Sequence, residues 1–189
     1  ALVPILKKHP DLYVLSDEIY DELVYDGQTA PSLLTLAPEL RHRIILINGF
    51  SKTYAMTGWR IGYAAGPADV VGAMGCLQSH QTSSINSISQ KAALAALELD
   101  ESVIKKMRDE FEWRRNYGME RIGAIPQLSF PYPAGAFYLF INVSAYYGPR
   151  LPGSLAFAEE LLAKEALVIV PGTAFGSDTH IRLSYAVSR

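Results

Sequence analysis

The chain has 189 residues, of which 49% are hydrophobic and 19% charged, and its net charge is −2 at pH 7. This composition excludes a disordered chain, and at about 150 residues per domain the length allows one domain, or one and a small second. Seventeen Lys and Arg residues against nineteen Asp and Glu residues argue against a basic surface that binds nucleic acid or a membrane. The lone cysteine, Cys76, cannot form an internal disulfide, which is typical of cytoplasmic proteins.

The sequence predicts neither a membrane span nor a leader. The longest uncharged stretch, residues 122–149, contains Pro126 and Pro133, and each proline would cost a spanning helix a backbone hydrogen bond. Lys7 and Lys8 follow the first apolar residues instead of preceding them, unlike a signal peptide. We therefore expect a cytoplasmic protein that does not contact membranes.

The two ends of the chain predict that it belongs to a longer protein. A helical pattern carried by Leu2, Ile5 and Leu6 begins at once, without a capping residue. Strand alternation over residues 180–187 ends just before the last residue. A helix at one end and a strand at the other are what a piece of a larger chain would show.

The first part of the chain alternates short apolar strands with helices. The predicted strands cover residues 12–15, 44–47 and 60–65, and the helical patterns cover residues 67–78 and 86–99. Asn86 or Ser87 would cap the second of these helices. Strands that alternate with helices predict an α/β sheet covered on both faces.

The second part of the chain has a different pattern. A long helix is predicted from Glu101 to about Ile122, with Met107 and Phe111 on its apolar face. The elements predicted beyond it are a strand at 136–143, a helix at 155–164 and strands at 167–170 and 181–186. This order is typical of a smaller α+β unit, and we expect its boundary near residue 115.

Two predicted strands lead into polar residues that could do chemistry. Asp17 follows the strand at 12–15, and Lys52 follows the strand at 44–47. Ligands of open α/β sheets bind beyond the carboxyl ends of strands, and a lysine there is a nucleophile when its pKa is lowered. Arg60, eight positions after Lys52, has the planar fork that suits a phosphate. Each residue has a structural alternative: a helix N-cap for Asp17, which taken alone is the better interpretation, a solvated loop for Lys52 and a surface ion pair for Arg60.

Several short motifs follow one another along the whole chain. They are DEIY at 17–20, SKTY at 51–54, GWRIGY at 58–63, QKAALAAL at 90–97, PAGAFY at 133–138, VPGTAFG at 170–176 and HIRLS at 180–184. In this order they resemble the pyridoxal-phosphate-dependent aminotransferases of fold type I. The nearest resemblance is to the prokaryotic subgroup of the class I aspartate aminotransferases.

The resemblance implies a fold and a domain organisation. Residues 1–115 would be the second half of the large domain, a mostly parallel sheet with flanking helices, which ends in the long connecting helix. Residues 116–189 would be the small α+β C-terminal domain without its final helix. The family's upstream half carries a phosphate loop, an aromatic that stacks on the cofactor and an asparagine, and these lie outside this sequence. We therefore expect the 189-residue chain alone to bind no cofactor and to be inactive.

The resemblance also implies roles for five residues. Lys52 is similar to the lysine that holds pyridoxal phosphate as a Schiff base and moves the substrate proton. Asp17 matches the buried carboxylate that keeps the pyridine nitrogen protonated, and Tyr20 matches the phenol that bonds the phenolic oxygen and lowers the Schiff-base pKa. Arg60 would anchor the phosphate, and Arg182 would bind the substrate α-carboxylate. The structural alternatives are a core tyrosine on a helix for Tyr20 and the wet side of an edge strand for Arg182.

The chain departs from the family pattern at two places. Many members have a serine where this chain has Gly49, so the neighbouring Ser51 is the remaining candidate for a hydroxyl that binds the phosphate. Many relatives also carry Ser-Asn-Pro where this chain has residues 83–85, a loop that faces the neighbouring subunit in the family. Gly172 and Gly176 are expected to be turn glycines.

The function implied by the resemblance is amino-group transfer between an amino acid and a 2-oxo acid, with pyridoxal phosphate as cofactor and no metal. The whole protein would be a homodimer, with aspartate as the first substrate to consider. Two alternatives stay open. One is a lyase or synthase of the same fold, and the other is a cofactor-binding effector domain of a transcription regulator.

Overall fold

A computed structural model describes residues 2–187, which form six α-helices and six β-strands. The helices are α1 (Leu2–Lys8), α2 (Leu33–Leu36), α3 (Ala68–Gln81), α4 (Ser87–Leu97), α5 (Glu101–Gly123) and α6 (Ser154–Glu165). The strands are β1 (Val14–Asp17), β2 (Ile44–Gly49), β3 (Gly62–Ala65), β4 (Tyr138–Asn142), β5 (Val170–Pro171) and β6 (His180–Ser184). Within this described range, no helix combines the length and the apolar character needed to cross a bilayer.

The chain divides into two compact units. The first unit extends to Lys105 and the second begins at Lys106, so the division falls inside α5. The sequence places its domain boundary in the same helix, near residue 115. The assignment of the two parts to a large and a small domain stays a prediction.

The first unit contains a three-stranded sheet in the order β1-β2-β3. β1 and β2 are parallel, with Asp17 opposite Ile47, whereas β3 is antiparallel to β2, with Gly62 opposite Gly49. The ends of β1 and β2 therefore lie at the same edge of the sheet as the start of β3. This topology brings the segments that follow Asp17 and Gly49 and the segment that precedes Gly62 to one edge.

β2 and β3 approach each other closely at two glycines. A Cβ atom on Gly49 would lie 2.9 Å from the Cα of Gly62, and one on Gly62 would lie 2.9 Å from the carbonyl oxygen of Asn48. Real Cβ atoms do not tolerate such contacts, because they lie inside the van der Waals separation. The glycines therefore permit the close approach of β2 and β3 at the point where the Lys52 loop starts.

A buried arginine fixes α1 to the sheet. Arg43 has 5% of its surface exposed, and its guanidinium donates hydrogen bonds to the carbonyl oxygens of Leu6 (2.6 Å), His9 (2.5 Å) and Leu12 (3.1 Å). Helix ends leave carbonyl groups without intrahelical partners, and a cation there is favourable. Arg43 thus provides hydrogen-bond donors to backbone carbonyl groups in α1 and in the segment between α1 and β1.

The capping prediction for α4 is confirmed. The Asn86 side chain accepts hydrogen bonds from the backbone N–H groups of Ile88 (2.9 Å) and Ser89 (3.2 Å). The Ser89 hydroxyl donates to the carbonyl oxygen of Trp59 at 3.0 Å, so the start of α4 is tied to the segment before β3.

The second unit contains an antiparallel sheet in the order β4-β6-β5. Its core includes Leu139 and Ile141 from β4 and Ile181 from β6, each at most 5% exposed. β5 is shorter than the strand predicted at 167–170, because only Val170 and Pro171 pair with β6. An apolar sequence favours a strand, but pairing decides its length.

Candidate active site

Asp17 stands at the end of β1, where the chain enters a series of turns. The backbone N–H of Glu18 donates to the carbonyl oxygen of Ile47 at 2.9 Å, which extends the strand pairing by one residue. Asp17 Oδ1 accepts from the N–H of Ile19 at 3.2 Å, and residues 18–22 form turns and no helix. The helix N-cap alternative for Asp17 is therefore wrong. The side chain is exposed in this chain, which differs from the buried carboxylate that the resemblance implies.

Tyr20 lies in these turns and faces the lysine. Its carbonyl oxygen accepts from the N–H of Leu23 at 3.0 Å, and Leu23 is fully buried while Tyr20 is half-buried. Because no helix forms at residues 18–22, the alternative of a core tyrosine on a helix is wrong. The ring centroid of Tyr20 lies 5.7 Å from Nζ of Lys52, within the range of a cation–π contact.

Lys52 follows the end of β2 in a tightly held loop. The N–H of Phe50 donates to the carbonyl oxygen of Ile61 at 3.4 Å, and the carbonyl oxygen of Lys52 accepts from Ala55 at 3.2 Å. Lys52 is half-buried and Thr53 is buried. The alternative of a fully solvated loop lysine therefore does not describe this side chain.

Ser51 and Arg60 are connected through Thr57. The Thr57 hydroxyl donates to the carbonyl oxygen of Ser51 at 2.9 Å, and Nη1 of Arg60 donates to the carbonyl oxygen of Thr57 at 3.0 Å. Arg60 adopts the left-handed conformation (φ 53°, ψ 51°) and its side chain is exposed. The Arg60 guanidinium is therefore held next to the loop that carries Ser51 and Lys52, and it is accessible to an anion.

Glu18 makes several hydrogen bonds that the sequence patterns do not reveal. Its Oε1 accepts hydrogen bonds from the hydroxyl groups of Ser16 (2.9 Å) and Ser32 (3.0 Å) and from the N–H of Leu33 (3.1 Å). The carboxylate joins the end of β1 to the start of α2, since Ser32 is the N-cap of that helix. Its only signal in the sequence is an acid placed directly after Asp17.

Asn48 and Asp21 form a second contact that the sequence patterns do not reveal. Asn48 is 8% exposed, its Nδ2 donates to Asp21 Oδ2 at 2.7 Å, and its Oδ1 accepts from the N–H of Gly49 at 2.7 Å. A buried side chain with both polar atoms bonded is typical of a fixed structural element. The available signal was an asparagine at the end of an otherwise apolar strand.

Two tyrosines near these acids have perturbed acidity. Burial raises the pKa of Tyr54 above 10.0, and the negative charges of Glu22 and Asp21 add to the effect. Burial also raises the pKa of Tyr63, and the charges of Asp21, Tyr54 and Glu18 raise it further. Both phenols therefore stay protonated at neutral pH.

Arg182 belongs to the second unit and lies on β6, the central strand of its sheet. The guanidinium carbon is 4.3 Å from the ring centroid of Tyr138 and 4.4 Å from that of Phe175, so the cation packs against two aromatic rings. The edge-strand alternative is therefore wrong. The two rings restrict the orientation of a side chain that is otherwise long and mobile.

The first unit thus brings Asp17, Tyr20, Ser51, Lys52 and Arg60 to one edge of its sheet, whereas Arg182 belongs to the second unit. Over residues 2–187, the His, Cys, Asp and Glu side chains form no group of three that could hold a metal ion. A carboxylate, a phenol, an amine and a guanidinium at one sheet edge are groups suited to an anionic organic ligand.

Comparison with solved structures identifies the fold as that of the aspartate aminotransferases. The crystal structure of the aspartate aminotransferase from Rhizobium meliloti superposes with a TM-score of 0.90 at 38% identity, over 100% of this chain and 48% of that one. The enzyme from Thermotoga maritima gives a TM-score of 0.86 at 42% identity, over 99% and 46%.

Sequence comparison gives the family. The model of aminotransferase class I and II matches residues 1–189, and the chain belongs to this family, whose members use pyridoxal phosphate. It is 42% identical to the aspartate aminotransferase of Bacillus subtilis over 189 residues, which are 100% of this chain and 48% of that protein. It is 44% identical to the bifunctional aspartate aminotransferase and glutamate/aspartate-prephenate aminotransferase of Petunia hybrida, over 99% of this chain and 41% of that protein. The chain thus spans less than half the length of these relatives.

Proposed function

We propose that this chain is the second half of a pyridoxal-phosphate-dependent aminotransferase, which exchanges an amino group between an amino acid and a 2-oxo acid. The observation that carries the proposal is the 5.7 Å approach of the Lys52 amine to the Tyr20 ring, at the sheet edge where β1 ends in Asp17. Family membership and the aspartate aminotransferase fold support it.

The side chains at this edge have the chemistry that the cofactor requires. A pyridine nitrogen needs an acid partner, a phenolic oxygen needs a hydrogen-bond donor, an aldehyde needs an amine and a phosphate needs a cation. Asp17, Tyr20, Lys52 and Arg60 provide one group of each kind, and the hydroxyl of Ser51 is a further donor beside the amine. The residues present therefore fit the cofactor.

Lys52 would hold the cofactor covalently through its Nζ. When bound, pyridoxal phosphate supplies an electron sink for the charge left on the substrate Cα after deprotonation. The amine of Lys52, when free, would act as a general base that takes the proton from the substrate Cα. The half-buried position of Lys52 restricts its contact with water.

Asp17 and Tyr20 would set the proton distribution around the cofactor ring. The Asp17 carboxylate keeps a proton on the pyridine nitrogen, because a negative charge stabilises a neighbouring cation. The Tyr20 phenol would donate a hydrogen bond to the cofactor's phenolic oxygen and so lower the pKa of the linkage between the cofactor and Lys52. The separation of three positions lets one turn present both groups.

Arg60 and Arg182 would each bind an anionic group, one on the cofactor and one on the substrate. The exposed Arg60 guanidinium binds the phosphate, and Arg182 binds the substrate α-carboxylate in a bidentate manner, which orients the Cα–H bond for cleavage. Ring contacts on Arg182 reduce the conformational freedom lost on binding.

The proposal extends to the organisation of the whole protein. Residues 1–115 would belong to the second half of the large domain up to its connecting helix, and residues 116–189 would belong to the small domain. The whole protein is a cytoplasmic homodimer, and aspartate is the first substrate to test because the relatives from Bacillus subtilis and Rhizobium meliloti are named for it.

The test is an assay of the full-length protein that carries these residues, with a panel of amino acids and 2-oxoglutarate as acceptor. We expect product formation and a visible absorbance band after addition of pyridoxal phosphate, with both lost in Lys52→Ala and retained in Lys91→Ala, which changes an exposed lysine on α4. Release of a β-substituent or of ammonia without exchange would instead indicate a lyase. Retention of both signals in Lys52→Ala would contradict the proposal.

A further inference from the structure

A hydrogen bond joins the two loops that carry Tyr20 and Lys52. Nδ2 of Asn48 donates to Oδ2 of Asp21 at 2.7 Å, although the two residues are 27 positions apart. Asp21 directly follows Tyr20, and Asn48 occupies the penultimate position of β2, shortly before Lys52. The bond therefore connects the turn that carries Tyr20 to the end of the strand that leads to Lys52.

Each partner of this bond is itself fixed. Asn48 is opposite Tyr63 in the β2–β3 pairing, and its Oδ1 accepts from the N–H of Gly49 at 2.7 Å. On the other side, the N–H of Asp21 donates to the carbonyl oxygen of Glu18 at 3.0 Å, within the turn that contains Tyr20. A bond between two restrained groups transmits position more effectively than one between mobile side chains.

We propose that the Asn48–Asp21 hydrogen bond is a clamp that sets the distance between the Tyr20 ring and the Lys52 amine, with Asn48 and Asp21 acting as positioning residues. The inference rests on the proposed function for its catalytic consequence. Its geometric content, that one bond couples the two loops, can be measured without that function.

The effect of the nearby charges must be distinguished from the effect of the Asn48–Asp21 hydrogen bond. The acids of this region are Glu18, Asp21 and Glu22, and the effect of Asp21 on the acidity of Tyr54 places its carboxylate near the lysine loop. A variant that removes the carboxylate therefore changes both the bond and the local field. Two variants with the same charge and different bonding resolve the ambiguity.

The experiment compares Asp21→Ala with Asp21→Asn in the full-length protein. Both remove one negative charge and the bond in which Asp21 Oδ1 accepts from the N–H of Glu22 at 2.9 Å. The amide oxygen in Asp21→Asn still accepts from Nδ2 of Asn48, whereas Asp21→Ala offers no acceptor. A third variant, Asp21→Asn combined with Asn48→Asp, reverses the polarity of the bond. In it the amide at 21 donates to the carboxylate at 48, which also continues to accept from the N–H of Gly49.

The first measurement is the pH midpoint of the visible absorbance of bound pyridoxal phosphate. We expect the midpoint in Asp21→Ala to lie above that of Asp21→Asn by about 0.7 unit, the equivalent of one ordinary hydrogen bond, because a displaced Tyr20 no longer donates to the bound cofactor. The double variant should return to within about 0.2 unit of the unchanged protein. Equal midpoints in Asp21→Ala and Asp21→Asn would show a charge effect alone and overturn the clamp.

The second measurement is hydrogen exchange of the cofactor-free protein. Asp21→Ala should raise the exchange of residues 17–23 and of residues 48–54 together, while Asp21→Asn and the double variant leave both unchanged. Faster exchange in only one segment, or in neither, would overturn the clamp. If the unchanged protein shows no absorbance band with pyridoxal phosphate, the proposed function fails, and the exchange result still decides the clamp.

Discussion

The amine of Lys52 lies 5.7 Å from the centroid of the Tyr20 ring, although the two residues come from different loops. The parallel pairing of β1 and β2 accounts for this approach, because Asp17 is opposite Ile47 and both strands end at the same edge. A side-chain contact that the proposed function needs is thus produced by backbone register.

The contribution of the Tyr20 hydroxyl can be measured separately from that of its ring. Tyr20→Phe retains the ring over Lys52 and removes the phenolic donor, so we expect cofactor to bind while the absorbance midpoint rises by about 0.7 unit. Tyr20→Leu removes both and should also weaken cofactor binding. A pH titration and a cofactor titration of the full-length protein measure the two effects. Identical behaviour of Tyr20→Phe and the unchanged protein would exclude a role for the hydroxyl.

The 189-residue chain alone should not hold pyridoxal phosphate. Asp17 and Arg60 are both exposed in it, and water screens exposed charges and competes for their hydrogen bonds. We expect no visible absorbance band when the chain is mixed with cofactor at equal concentration. A stoichiometric band that disappears in Lys52→Ala would contradict this expectation.

The aromatic rings around Arg182 should matter for substrate affinity. In the full-length protein, Tyr138→Leu and Phe175→Leu each remove one of the two ring contacts, at 4.3 and 4.4 Å, and loosen the guanidinium. A cation–π contact of about 1 kcal/mol corresponds to a rise in KM for the amino acid of about fivefold, with kcat less affected. Steady-state kinetics measure the change, and Tyr117→Leu, an exposed tyrosine stacked on Trp113, is the control. Unchanged KM values in both variants would remove the positioning role of the rings.

Arg43 should be a major determinant of stability in the first unit. Arg43→Ala removes a buried side chain and its three hydrogen bonds to the carbonyl oxygens of Leu6, His9 and Leu12, of which the bond to Leu6 is buried, so we expect a loss of about 3 kcal/mol in the free energy of unfolding. Arg41→Ala changes an exposed neighbour and should alter that free energy by less than about 0.5 kcal/mol. Urea unfolding measures both, and equal effects would show that the three hydrogen bonds contribute little.

Asp178 should make the second unit sensitive to acid. Its Oδ1 accepts from the N–H of Ser154 (2.9 Å) and from the Ser154 hydroxyl (2.8 Å), and these bonds lower the pKa of Asp178 below 3.8. Because the folded state favours the ionised form, the stabilisation is present above about pH 4 and is lost as pH falls through the folded-state pKa. Asp178→Asn should flatten the pH dependence of the unfolding midpoint below pH 4, and Ser154→Ala should flatten it partly. A slope equal to that of the unchanged protein in both variants would contradict the assignment.

Several elements were predictable because their signals are local. The periodicity of residues 101–122 predicted α5, and Asn86 predicted the start of α4, since both depend on neighbours within one or two turns. The ordered motifs likewise predicted the family. The roles of Asp17, Tyr20, Ser51, Lys52, Arg60 and Arg182 stay predictions for mutagenesis of the full-length protein to test.

The sequence by itself determined the types of side chain available and the approximate strands that carry them. Only the tertiary structure decided which of these side chains meet. The Asn48–Asp21 bond joins residues 27 positions apart, and Arg182 packs against a ring on the neighbouring strand β4. Such contacts depend on strand register and on which strand is central, and these follow from the packing of the whole unit because no local pattern specifies a distant partner.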